Sequence, residues 1–350
     1  MIFCGDTVFP KSFSSDILID LDVNFRLKEK IINLESVISF KKMKKITNGI
    51  ALSSSKDILF FLKENNVKFA SLANNHMFDY DLRIEDHKDF LKNNAITSFG
   101  AGKNMMDAST PIFYNENGVD FGVISFGWET IGCNIASNNK QGVNPLEYDN
   151  VIKQVKDFFR KKNNTKLVCI FHWNYEFEKF PQPYHRMLSH KLIDLGVHAI
   201  IGHHPHIIQA VEIYKNKPIF YSLGNFYFPN GQYDNYNINY DSSAKYGLCV
   251  DITDKIENTI LYWTKIKDNK KLILVNKENL IGNKNIKDIS LFSGLEHKKY
   301  DKWFRKNRSK RFFLPIFKSN ENRLSIKIKE NFVSFRQKII DFLVINKLKK

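Results

Sequence analysis

Three of the chain's ten histidines fall within four positions of AIIGHHPHIIQ (residues 199–209), directly after a short apolar run. In an extended segment, residues two apart face the same side. His204 and His206 can therefore present both imidazoles to one point, with His203 turned away. Imidazole combined with carboxylate and amide oxygen suits divalent transition metals. Taken alone, the pair fits a structural histidine pair in a loop equally well. Four further strand-like segments end in residues of the same kind. MIFCGD supplies Asp6, and IINLES supplies Glu35. SLANNH supplies Asn74, Asn75 and His76, with Asp79 three residues on, and VCIFHWNYE supplies His172 and Glu176. Ligands of open α/β sheets gather at the carboxyl ends of strands, and core packing requires no polar residues there. Singly, Asp6 also reads as a turn cap, Glu35 as a solvent-facing helix residue and Asn74 as a turn residue. His87, His185, His190 and His198 read as packing or surface groups.

The elements that would position these residues alternate. The spacing of Ile58, Phe61 and Leu62 predicts a helix over 57–66, which Asn65-Asn66 stops. VKFASLA (67–73) and DFGVISF (120–126) read as strands. Residues 151–164 form a patterned helix whose basic residues fall in the last turn, where the helix dipole favours cations. KLVCIFHW reads as a strand, HRMLSHKLIDLG as a helix closed by Gly196, and VHAIIGHH as another strand. This order predicts α/β architecture. Strand-rich segments without helices follow, and they close the domain near residue 280. The Asn- and Tyr-rich stretch 230–243 reads as an exposed loop.

A hydrophobic content of 43% with 26% charged residues is that of an ordinary folded protein. No apolar run reaches the roughly 18–20 residues that span a bilayer. The four cysteines are scattered and three lie in apolar strands, which predicts buried thiols in a reducing, cytoplasmic compartment. The net charge of +16 is concentrated: residues 297–350 hold 17 Lys and Arg against 4 Asp and Glu, a local +13 that leaves +3 for the rest. In this tail the apolar residues 328, 332, 335, 339 and 342–343 have helical spacing. Such a basic amphipathic helix fits an anionic membrane surface, at the inner face of the membrane. It fits packing of the apolar stripe on the body as well. No nucleic-acid motif accompanies the charge, so no nucleic-acid partner is expected.

The motifs GD (5–6), NLES (33–36), SLANNHMFDY (71–80), FGAG (99–102), HWNYE (172–176), GHHPHIIQ (202–209) and FYSLGNFYF (220–228) resemble the CapA-type proteins of capsule and poly-γ-glutamate synthesis. The fold of that family is similar to the calcineurin-like metallophosphoesterases. The resemblance covers about residues 1–280 and implies a four-layer α/β/β/α sandwich there; residues 281–350, by their charge and helical spacing, read as a basic C-terminal extension carrying an amphipathic helix. It implies Asp6, Glu35, Asn75, His172, His204 and His206 as ligands of one or two divalent ions, with Mn, Fe or Zn favoured. Glu35 stands where phosphoesterases use a bridging aspartate. His76 stands where they place the histidine that protonates the leaving group, with Asp79 as its orienting partner. Asn74, Trp173, Glu176 and Asn225, within the same motifs, are expected to face substrate. The chain departs from the pattern in three respects. Thr7 and Val8 follow Asp6 where a histidine is usual, Asp81 and Asn174 replace glycines, and the family's N-terminal membrane anchor is not seen before the first strand. The implied function is metal-dependent hydrolysis in the synthesis of a cell-surface polymer, acting on the polymer or its phosphorylated precursor. A non-catalytic component that binds the polymer or a synthase is the alternative.

Overall fold

The computed structural model describes residues 1–10, 19–47, 49–234, 236–309 and 314–345. Among these, two sheets of nine and six strands dominate. In the first, Ile2–Thr7, Lys30–Leu34, Val67–Ser71 and Thr97–Phe99 run parallel. Tyr246–Asp251, Ile260–Lys267 and Lys271–Asn279 extend it antiparallel from the other side of Ile2–Thr7. In the second, Val119–Gly127, Lys166–His172, Ala199–His203 and Lys217–Phe220 run parallel. Ile112–Glu116 and Val211–Tyr214 pair antiparallel at its edges.

The sheets face one another across an apolar layer that includes Phe3, Ile31 and Val250 from the first and Val123, Val168, Ile170 and Phe220 from the second. Helices cover both outer faces. Ile58–Glu64 and Ile84–Asn93 bury Phe61, Leu62 and Leu91 against Ile32, Leu34 and Ala70. Tyr148–Lys161 and Pro183–Asp194 cover the second sheet. In the former, Val151, Val155 and Phe158 recur at i, i+4 and i+7 and are the residues buried. Strands buried on both faces are apolar throughout, as the runs around 120–126 and 167–171 are. The layers are thus α/β/β/α.

The chain crosses between the sheets after Lys217–Phe220. Gly224, at φ +66°, turns it so that Asn225–Tyr227 pairs in parallel beside Ile2–Thr7, with Asn225 in register with Asp6. Two expectations are corrected here. Residues 230–243 are not merely an exposed loop: Gly231–Tyr233 and Tyr236–Ile238 form a hairpin, and Tyr233 is fully buried with Val8, Leu52 and Phe228. The segment after residue 280 also shares the body's core. Phe292, Tyr300, Phe304 and Phe317 pack with Phe171, Tyr221 and Leu188.

Candidate metal centre

The parallel strands of both sheets deliver their carboxyl ends to one place. Asp6 belongs to Ile2–Thr7, Glu35 follows Lys30–Leu34, and Asn75 follows Val67–Ser71. His172 ends Lys166–His172, and His204 follows Ala199–His203. Two motif glycines permit the approach. A Cβ on Gly5 would lie 2.0 Å from the Gly224 carbonyl oxygen, and one on Gly202 would lie 1.9 Å from that of Tyr221. Any side chain at either position would force the strands next to Asp6 and His204 apart.

The six expected ligands converge. One ligand atom from each of Asp6, Glu35 and His172 lies within 4.8 Å of the others, and so do those of Glu35, His204 and His206. Glu35 is common to both groups. Its Oε1 lies 3.4 Å from His172 Nε2 and 3.8 Å from His206 Nε2. Asn75 Oδ1 is 2.7 Å from His172 Nε2, and Asp6 Oδ2 is 3.3 Å from His206 Nδ1. The two histidines do not converge by strand alternation, as the sequence suggested. The strand stops at His203, and His204 and His206 adopt φ of +93° and +57°. Non-glycine residues in that region carry about 1–3 kcal/mol of strain each, which persists where the surroundings over-determine it. His203 turns beneath the centre to the carbonyl of Cys4, 3.1 Å away.

A second set of polar residues holds the ligands. Asn33 donates to Asp6 Oδ1 (2.7 Å) and lies 3.2 Å from His172 Nδ1. The backbone N–H of His204 donates to Asp6 Oδ2. Asn225 Oδ1 is 3.0 Å from His206 Nδ1 while its amide donates to the Ala244 carbonyl. Asn74 donates to Asn33 and to the Leu34 carbonyl, and accepts from the His76 N–H. Asn33 and Tyr240, whose ring stacks on His206 at 5.3 Å, were not anticipated. Asn33 was legible in principle, because it shares a strand face with Glu35. Tyr240 carries no sequence signal.

Of the four residues expected to face substrate, only Glu176 is exposed; its charge acts on both His76 and His206. Asn74, Trp173 and Asn225 are buried. Trp173 donates to the Tyr221 carbonyl and stacks between Phe171 and His185, 4.7 Å from each. Strand alternation turns it away from the centre that His172 faces. His76 is half-buried. Its Nδ1 is 2.7 Å from Asp79 Oδ2, which also accepts from the Leu52 N–H and is thereby fixed.

Charge at the centre is strongly biased. Burial opposes a proton on His206, yet Glu35 and Asp6 outweigh it and lift its pKa to about 10. Burial, together with His172 and His206 nearby, pushes His204 well below the usual imidazole value. Asp6 stays ionised: burial resists this, but His206, His203 and His172 together hold it below the usual carboxylate range. Burial works against protonated His76 too, and Asp79 reverses the balance, so its pKa is raised.

These residues fit a divalent metal. Both Glu35 carboxylate oxygens and His204 Nδ1 are buried without a hydrogen-bond partner, an arrangement that costs several kcal/mol per ion unless a counter-ion satisfies it. A mixed set of imidazole, carboxylate and amide oxygen is the donor chemistry of Zn, Mn and Fe rather than calcium. The two groups are unequal. Val8, where a histidine is usual, packs into the apolar cluster of Leu52, Phe228 and Tyr233 and offers no ligand.

A 5'-nucleotidase precursor from Thermus thermophilus is a distant likeness, 14% identical over 63% of this chain and 39% of that one, at a TM-score of 0.36. Nearer relatives lie among capsule proteins. The capsule biosynthesis protein CapA of Bacillus anthracis is 34% identical over 194 residues, 55% of this chain and 47% of the relative. The PGA biosynthesis protein CapA of Bacillus subtilis is 33% identical over 205 residues, 57% of this chain and 53% of the relative. The chain thus spans about half the length of these two relatives. The sequence profile of the bacterial capsule synthesis protein PGA_cap matches residues 26–230. That span is more than half of the sequence, and the chain belongs to the bacterial capsule synthesis protein PGA_cap family.

Proposed function

We propose that this chain is a metal-dependent hydrolase of phosphoesterase type acting in the synthesis of a capsule or other cell-surface polymer. The observation that carries this reading is Glu35, fully buried between His172 and His206 with neither oxygen hydrogen-bonded. Asp6, Glu35, Asn75, His172, His204 and His206 would hold one or two divalent ions. When bound, such ions supply Lewis acidity toward a phosphoryl or carbonyl oxygen and toward water. Asn33 and Asn225 fix the orientation of the ligands they touch. Asp79 engages His76 at Nδ1, so Nε2 is the nitrogen that gives a proton to a departing oxygen. Asp79 outweighs the burial of His76 and raises its pKa, which favours the protonated form that a general acid needs. The substrate is the polymer or its phosphorylated precursor, and the protein works beside the membrane where such polymers are assembled.

A second reading rests on Val8. With an apolar residue in place of a ligand, one half of the centre is weaker, as in a protein that binds polymer or a synthase without turnover. The test is elemental mass spectrometry on protein purified without chelator, beside a His204→Ala/His206→Ala control, followed by a phosphoester screen with His76→Ala. About two ions per chain, lost in the control, with turnover abolished in His76→Ala at unchanged metal content, supports the hydrolase. Absence of metal after reconstitution with Mn or Zn overturns it. Metal without turnover that depends on His76 favours the binding role.

A further inference from the structure

The C-terminal helix Arg323–Ile345 turns the packing rule inside out. It meets the body through Val333 and Ile326, both against the core beneath the second sheet. Polar ties reinforce this face. Thr130 donates to Glu330 (3.2 Å), Lys329 donates to the Ile316 carbonyl (2.7 Å), and Arg323 pairs with Asp149. The other face carries Leu324, Ile328, Phe332, Phe335 and Ile339, which are between 44 and 71% exposed. Steps of 4, 4, 3 and 4 residues place all five on one line, roughly 22 Å long at 1.5 Å per residue. Of the two readings of this stripe, packing on the body does not apply to these five residues, because a different face packs there; residues 342–343 lie outside the described side chains.

The surroundings of the stripe are cationic. Lys327 and Lys338 are exposed, each one position from a stripe residue, and Arg336 follows Phe335. Residues 323–350 hold 8 Lys and Arg against 2 Asp and Glu. No helix among the described residues is long and apolar enough to cross a membrane. A helix with one apolar line and cations on its flanks lies in the interface plane, apolar face down. Self-association through the stripe would bring two strongly positive helices together, at a Coulomb cost. An anionic bilayer meets both features at once.

We infer that Leu324, Ile328, Phe332, Phe335 and Ile339 form a docking face for an anionic lipid surface. The opposite face of the helix rests on the Glu129–Ile131 turn, which leaves the stripe directed away from the body.

The test is flotation of the full chain with phosphatidylcholine vesicles, with and without phosphatidylglycerol as about a third of the lipid. Flotation is expected only with the anionic vesicles and should fall as salt shortens the Debye length. Ile328→Ser/Phe332→Ser/Phe335→Ser should weaken it at least roughly tenfold, with melting temperature and metal content unchanged, because those side chains face solvent. Lys327→Glu/Lys338→Glu should weaken it and flatten its salt dependence, which keeps the test intact if the triple variant misfolds. The inference is overturned if the wild-type chain does not float, if neutral and anionic vesicles bind alike, or if the triple variant floats as well as wild type. It is also overturned if sedimentation shows a dimer that the triple variant dissolves while neither protein floats.

Discussion

Glu35 and Glu212 are both buried carboxylates with imidazoles beside them, yet their surroundings differ in kind. Glu212 receives Arg186 as a fork, Nη2 to Oε1 at 2.6 Å and Nε to Oε2 at 2.9 Å, and Tyr221 donates to Oε2 at 2.8 Å. Arg186 in turn lies over the Tyr300 ring, 4.8 Å away, which ties the helix His297–Asn307 to the sheet. Glu35 has no hydrogen-bond donor on either oxygen. A fold can keep a buried carboxylate by saturating it with its own donors, as at Glu212. At Glu35 the fold withholds donors and leaves acceptor atoms directed at a common point, which is how a site prepared for a cation differs from a structural ion pair.

Exchanging each acid for its amide breaks the comparison most sharply. Glu35→Gln is expected to lower metal affinity by more than about 100-fold, beyond what the loss of a hydrogen bond to a ligand reaches, with the metal-free protein as stable as wild type or more so. Equilibrium dialysis against Mn or Zn and chemical denaturation together check this. Glu212→Gln should do the opposite: metal binding unchanged, and stability reduced by about 3–5 kcal/mol because Arg186 is left buried without its partner. If Glu35→Gln unfolds the protein while keeping its metal, the contrast fails.

Acid and base separate the same two places. Burial resists the ionisation of Glu212, but His190 and Arg186 bring its pKa down from 4.5 to about 2. Its stabilising contribution is therefore complete above pH 4.5 and is lost as the pH falls toward 2. Denaturation midpoints across that window should fall in wild type and stay flatter in Glu212→Gln. At the centre, His206 with a pKa of about 10 carries a proton at neutral pH that must leave before its nitrogen can bind an ion. Metal affinity should rise with pH up to about 10. Calorimetry in buffers of different ionisation enthalpy should detect proton release on loading. No release at neutral pH would show that Glu35 and Asp6 do not hold His206 protonated.

Much of this was legible in the chain because periodicity and strand ends are local properties. The 3.6-residue spacing of Val151, Val155 and Phe158 and the apolar run 120–126 fix their elements without tertiary information. The polar residue after each apolar run marked the strand end that brings it to the centre. What was not legible depends on the backbone and on distant packing. Trp173 and Asn225 sit within the motifs, but which way a strand-end side chain turns depends on register. The positive φ at His204 and His206 is imposed by the surrounding fold. Tyr240 reaches His206 from the irregular segment that follows the hairpin, which has no local pattern. The tail was read by its charge, although Tyr300 and Phe304, four apart, already marked a buried helix face.

The replacement of a family glycine by Asn174 gives the smallest and most diagnostic effect. Asn174 sits at φ +70°, the left-handed region that glycine favours and asparagine tolerates better than other residues. The loop beside His172 therefore keeps a shape that glycine would allow. The side chain adds contacts glycine lacks: it donates to the Phe180 carbonyl at 2.9 Å and accepts from Gln182, whose own oxygen accepts from the Phe317 N–H. Asn174→Gly should relax the backbone but lose one buried and one partly buried hydrogen bond, a net destabilisation of about 1–2 kcal/mol. Asn174→Ala loses the same bonds and adds left-handed strain, so it should be about 1 kcal/mol worse again. Denaturation of the pair separates the two contributions. Equal losses would mean that side-chain bonds alone hold this loop against the centre, and that positive φ costs nothing there.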